Sequence, residues 1–269
     1  MVKLIAVDMD GTFLSSKKEY DRERFQAIFQ ELKNRDIKFV VASGNQYAQL
    51  ASFFPDIKDE ITFVAENGVL VIEEGKLVRE SHFETETVQN IICFIRANEP
   101  DVQIILSGIK SAYVESKVPT YFMDVAVFYC HALTVVDELL EIDVESDKFV
   151  KFALSVPDDR TEEIADLISQ EFAGKARAVS SGRGFVDIII PGKDKSDGLQ
   201  FLAKKWQIEP SEMMAFGDGN NDLEMLKLVE HSYAMANGAE TVKETAKYAA
   251  LSNNESGVLA VIEEFLANN

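Results

Sequence analysis

The sequence predicts an α/β fold: a parallel sheet covered by helices on both faces, with an α+β unit inserted into it. Three observations predict it. Short continuous apolar runs alternate with segments of helical period, which is the pattern of strands buried on both faces. Between about Phe83 and Asp187 the texture changes to partly alternating strands set among helices. A chain of 269 residues, 46% of them hydrophobic, is long enough for one large core or two smaller ones.

The elements follow in order. Residues 4–7 form a first apolar strand, and residues 21–35 a helix whose Phe25, Ile28, Phe29 and Leu32 share one face. Residues 37–42 and 61–65 are further strands. Within the insertion, Val88, Ile91, Ile92 and Ile95 mark a helix. Residues 102–106, 112–115 and 148–156 mark strands, and Ile164, Leu167, Ile168 and Phe172 a second helix. The chain then returns to the first pattern, with a helical stripe of Leu199, Leu202, Ala203 and Trp206, a strand at 213–216 and a helix at 223–229. Residues 1–82 and 188–269 are therefore expected to form the core and residues 83–187 the inserted unit. The apolar stripes are used up by these two, and no oligomeric state follows from them.

Charge and composition exclude several functions. With 46 acidic against 27 basic residues the net charge is −19, so no general positive field exists to hold nucleic acid or an anionic membrane surface. No stretch approaches the roughly 18 apolar residues of a membrane span, and Asp8 breaks the N-terminal apolar run. Cys93 and Cys130 sit in apolar surroundings and read as buried, reduced thiols, which points to the cytoplasm. His82, His131 and His231 are scattered without metal-ligand spacing.

In an open parallel sheet, ligands bind beyond the carboxyl ends of the strands, so polar residues that follow apolar runs share one crevice. Here these are Asp8-Met9-Asp10-Gly11-Thr12, Ser43-Gly44-Asn45 and Gly217-Asp218-Gly219-Asn220-Asn221-Asp222, with Gly192-Lys193-Asp194-Lys195-Ser196 opening a helix. Two aspartates that close repel unless a cation or a shared proton relieves them. Carboxylates without His or Cys neighbours suit a hard cation such as Mg2+, and glycine turns with a lysine and a serine suit a phosphate. Carboxylate, metal and phosphate together indicate phosphoryl transfer. The rival reading of Asp8 to Glu19 as a calcium loop fails, because Thr12 and Phe13 stand where that loop requires an oxygen ligand and a glycine.

These residues resemble the haloacid dehalogenase superfamily, and in particular its Cof-type phosphatases. D-x-D-G-T, Ser-Gly, a lysine ahead of a late helix and G-D-x-x-N-D occur in order, with Ala65-Glu66-Asn67-Gly68, Ala234-Met235-Ala236-Asn237 and Gly257-Val258 as further likenesses. The resemblance implies a Rossmann-like core with an α+β cap and a small-molecule phosphomonoester as substrate. It implies that Asp8 is the nucleophile and Asp10 the general acid and base. Mg2+ would be held by the Asp8 carboxylate, the Asp10 carbonyl and Asp218, with Asp222 supporting. Ser43, Gly44, Lys195 and Asn221 would hold the phosphate. Lys193 competes with Lys195 on chemistry alone, and the family's spacing to Gly198-Leu199 favours Lys195. Many relatives carry arginine where Asn45 stands, while Ser-Gly-Asn-Gln-Tyr is similar to the sugar-phosphatase members. A phosphotransferase or mutase would keep every motif. A receiver-like sensor is disfavoured by Asp10, which is set to destroy a phosphoenzyme. Arg183, between Gly182 and Gly184, reads equally as a strained turn or a substrate contact.

Overall fold

The computed structural model describes residues 1–182 and 184–268; Arg183 lies outside the described residues. In chain order the elements are β1 Leu4–Val7, α1 Arg22–Asn34, β2 Lys38–Ala42, α2 Tyr47–Ser52, β3 Thr62–Ala65, β4 Leu70–Glu73 and β5 Lys76–Glu80. They continue as α3 Thr85–Asn98, β6 Gln103–Gly108, β7 Ala112–Glu115, α4 Thr120–Tyr129, β8 Leu133–Val136, β9 Phe149–Ser155, α5 Thr161–Glu171, β10 Arg177–Gly182 and β11 Phe185–Ile189. The last run is α6 Lys195–Trp206, β12 Met213–Gly217, α7 Leu223–Leu228, β13 His231–Met235, α8 Glu240–Thr245, β14 Tyr248–Ala250 and α9 Gly257–Asn268. The chain forms two compact units: residues 1–44, 54–79 and 194–269, and residues 45–53 with 80–193.

The first unit is built on a sheet of order β14-β13-β12-β1-β2-β3-β4-β5. β1 lies parallel between β12 and β2, with Val7 opposite both Phe216 and Val41. That register matters, because it brings the residues after all three strands to the same edge of the sheet. β1 is wholly buried, as its unbroken apolar run requires. On one face, α1 delivers the expected stripe of Phe25, Ile28, Phe29 and Leu32, and Phe25 packs against Phe13 and Phe39 with ring centroids 5.0 Å apart in each case. On the other, Leu199, Leu202 and Ala203 of α6 meet Leu4, Ala6, Val40 and Val64. β4 runs antiparallel to β3, and the β4–β5 connection turns through Glu74 and Gly75, both with positive φ.

The second unit has a sheet of order β10-β11-β9-β6-β7-β8. Its pairs are antiparallel apart from β7 with β8. α3 and α5 cover the face that carries Ile104, Leu106 and Phe152, and Phe122 and Ala126 of α4 cover the opposite face at Ile105 and Val114. The alternation of 104/106 with 105 is the period of two expected of a strand covered on both sides. The burial expected of the cysteines fails: Cys93 is exposed and Cys130 half-buried. Cys93 stands two residues, hence about 200° of helical rotation, past the buried Ile91 and so points outward. No helix among the described residues is long and apolar enough to cross a membrane.

Candidate active site

The centre of the site is an ion cluster in which little water can compete. Lys195 Nζ donates to Asp8 Oδ1 and to Asp222 Oδ1, each at 2.7 Å. Lys195 is 1% exposed, Asp8 6% and Asp222 0%. Asp8 is delivered by the end of β1, where its N–H donates to Phe216 O at 3.1 Å. Lys195 is the first residue of α6, whose cap is Asp194; the cap carboxylate accepts from Ser196 N and Asp197 N. Asp222 turns its second oxygen to the N–H groups of Asp218 and Gly219, both at 3.0 Å. Both of its oxygens are thus engaged within the protein, which makes it a brace for the loop and the lysine.

Asp218, half-buried, accepts from Thr12 Oγ1 at 2.8 Å. Oxygens of Asp8, Asp218 and Asp222 lie within 4.8 Å of one another. Gly11 makes this approach possible: its φ is 78°, and a Cβ there would stand 2.3 Å from Asp218 Oδ2. Three carboxylates against one ammonium leave two formal negative charges in the cluster. The imbalance appears in the acidities. Burial holds the Asp8 carboxyl well above the ordinary carboxylate range, with Lys195 opposing and Asp222 and Asp218 adding to the rise. Burial likewise raises Asp218, against the Thr12 hydrogen bond. On Lys195 burial pulls downward, but Asp222 and Asp8 outweigh it, so the ammonium stays charged. A divalent cation would supply the missing charge, and an all-oxygen donor set without His or Cys fits a hard one.

Asp10 stands at the rim of this cluster, half-buried, with Oδ1 accepting from Lys18 Nζ at 2.6 Å. Ser43 is buried and donates its N–H to Val64 O at 2.9 Å. Gly44 follows, close to the amide of Asn67. Between the Ser43 turn and α6 lies a turn with three successive positive φ values, Glu66 (49°), Asn67 (57°) and Gly68 (97°). Asn67 N donates to Ser43 O at 3.0 Å, and a Cβ on Gly68 would stand 1.9 Å from Asp194 O. The turn therefore spaces the Ser43 segment from the start of α6. Asn221 is exposed in the short helical turn that ends at Asp222. Lys193 and Asn45 are half-buried.

Several contributors carry no signal of their own in the sequence. Asn237 Nδ2 donates to Gly11 O at 2.7 Å, and its Oδ1 accepts from Asn253 N at 2.9 Å. Asn253 Nδ2 donates to Leu14 O at 2.8 Å. Together these clamp the loop after β1 from the C-terminal segments. The likenesses at 234–237 and 257–258 bracket the clamp, but sequence alone gives no reason to pair Asn237 with a residue 226 positions away.

The chain is similar to known proteins over nearly its whole length. Residues 5–262 match the haloacid dehalogenase-like hydrolase family. The chain is 44% identical over 265 residues to 5-amino-6-(5-phospho-D-ribitylamino)uracil phosphatase YbjI of Escherichia coli (strain K12), covering 98% of this chain and 96% of that protein. It is 25% identical over 288 residues to phosphatase YwpJ of Bacillus subtilis (strain 168), covering 98% of this chain and 100% of that protein. Among solved structures it is similar to SMU.1108c from Streptococcus mutans UA159, at a TM-score of 0.93 and 42% identity, with 99% of this chain and 100% of that one covered.

Proposed function

Since this chain belongs to the haloacid dehalogenase-like hydrolase family and is a phosphoric monoester hydrolase, we propose that it removes phosphate from sugar and sugar-alcohol phosphates with Mg2+, through an aspartyl phosphate on Asp8. The observation that carries this reading is the buried Asp8–Lys195–Asp222 cluster with Asp218 beside it, short of two positive charges. Asp8 and Asp218 would hold the ion, with the Asp10 carbonyl, and when bound it would screen the phosphate from the carboxylates and polarise its oxygens.

The protein's own groups do the remaining work. Lys195 opposes the rise that burial imposes on Asp8 and aims the carboxylate through Oδ1. Ser43, the Gly44 N–H, Lys195 and Asn221 cradle the phosphate oxygens. In the first half-reaction an Asp8 oxygen bonds to phosphorus, the ester P–O bond breaks, and Asp10 gives its proton to the departing alkoxide. In the second, Asp10 takes a proton from water, the water oxygen bonds to phosphorus, and the bond to Asp8 breaks. Residues 83–187 act as the cap that chooses the leaving group. The Escherichia coli relative is named for a phosphate ester on a ribityl chain, which supports a polyol phosphate as the preferred class.

The test is phosphate release from a panel containing 5-amino-6-(5-phospho-D-ribitylamino)uracil, hexose and pentose phosphates and p-nitrophenyl phosphate, with Mg2+ and with EDTA. Release that requires Mg2+, ranks polyol and sugar phosphates first and disappears in Asp8→Asn is the expected result. Release indifferent to chelation, or undiminished in Asp8→Asn, would refute the mechanism.

A further inference from the structure

The loop after β1 presents a lysine whose conformation and contact are built rather than incidental. Lys18 adopts the left-handed region, φ 60°, which is unfavourable for a residue with a side chain. It is kept there by a closed turn: Ser15 N donates to Glu19 O at 2.8 Å and Lys18 N to Ser15 O at 2.9 Å. Ser15 Oγ accepts from the N–H groups of Lys17 and Glu19. The turn is tied to the C-terminal segment by Ser16 N, which donates to Asn254 Oδ1 at 2.9 Å. Its product is a single directed contact, Lys18 Nζ to Asp10 Oδ1 at 2.6 Å. The two side chains are 40% and 33% exposed, and an ion pair that open adds at most about 1 kcal/mol to stability. Stability is therefore a poor reason for a left-handed lysine at this place.

We propose that Lys18 is a positioning residue for Asp10, holding its carboxyl group in the orientation from which it gives its proton to the leaving alkoxide. The proposal rests on the reading of Asp10 as general acid and base. Lys18 itself forms and breaks no covalent bond. When the leaving alkoxide takes the Asp10 proton, the resulting carboxylate finds an ammonium already in place, so the new negative charge needs no rearrangement of the loop. The geometry also offers a local cation on the side of the nucleophile loop.

The discriminating measurement is kcat/KM for two substrates, a sugar phosphate and p-nitrophenyl phosphate, in wild type, Asp10→Asn, Lys18→Met and Lys18→Arg. An alkoxide needs a proton to leave and p-nitrophenolate does not, so a fault in general acid catalysis falls on the sugar phosphate. The expected result is that Lys18→Met lowers the ratio of the sugar to the aryl value by about tenfold, in the same sense as Asp10→Asn, and that Lys18→Arg restores most of it. An unchanged ratio in Lys18→Met beside a lowered ratio in Asp10→Asn would overturn the proposal alone. An unchanged ratio in Asp10→Asn would overturn the role of Asp10 and the proposal with it. Circular dichroism of each variant separates these outcomes from loss of fold.

Discussion

A buried ammonium shared by two carboxylates makes single substitutions in this site asymmetric. Replacing Asp8 with Asn removes the attacking oxygen while keeping size and one hydrogen-bond acceptor. Phosphate release is expected to fall by more than about 10³-fold with the circular dichroism spectrum unchanged. Gly11→Ala acts at a distance of one contact: the new methyl would occupy the place of Asp218 Oδ2. Mg2+ affinity measured by titration calorimetry is expected to weaken by at least about tenfold. Lys195 was told from Lys193 by the family's spacing alone; the carboxylates were legible in the sequence, because each follows an apolar run and strand ends in a parallel sheet converge. Lys18, Thr12, Asn237 and Asn253 were not. The roles of Thr12, Asn237 and Asn253 depend on pairings across the chain, such as the 206 positions that separate Thr12 from Asp218, which no local pattern encodes, and Lys18 reaches Asp10, eight positions away, through a left-handed turn that the sequence does not signal.

Helix α6 shows how an element carries a catalytic group. Asp194 caps it, the first turn holds Lys195, and its inner face of Leu199 and Leu202 is wholly buried in the core. Asp194→Ala is expected to cost about 1 kcal/mol, read from urea unfolding of the whole chain. Strands β1, β2, β3 and β12 and helices α1, α3, α5 and α6 were legible from period and apolar runs. The hairpin β4–β5 was missed: its second strand, Lys76–Glu80, has no buried residue to signal it. Helices α2 and α8 are short and each buries a single hydrophobic side chain, Leu50 and Val242, so no apolar stripe marks them. In the second unit, Tyr113 of β7 donates its hydroxyl to the buried Asp147 at 3.1 Å. Burial first, and then that carboxylate, push the Tyr113 phenol up to about 12. A raised pKa in the folded state means full stability below the ordinary tyrosine value and loss as pH climbs through the folded one. Unfolding should therefore be favoured between about pH 10 and about pH 12. Absorbance at the phenolate band, compared with Tyr113→Phe, checks this: the slow titrating tyrosine should be absent from the variant, whose stability loses less over the same interval.

Taken as one molecule, the chain carries a net charge of −19 and concentrates part of that excess where a cation is wanted. Binding to the folded state alone adds about 2.7 kcal/mol when free ion is 100 times its dissociation constant. Mg2+ is expected to raise the melting temperature, EDTA to reverse the gain, and Asp218→Asn to abolish most of it; calorimetric scans of both proteins are the check. The arrangement of the core in two stretches has another outcome. Asp8 and Lys195 touch across 187 positions of chain, and at 5–20 residues per second a ribosome makes the carboxylate roughly 10–40 s before its lysine. During that time β1 has β2 as a neighbour but lacks β12, and Asp8 has no ammonium to neutralise it. The nascent chain thus spends most of its synthesis with one side of its central strand unpaired, and the reactive centre cannot close until Asp222 has been made.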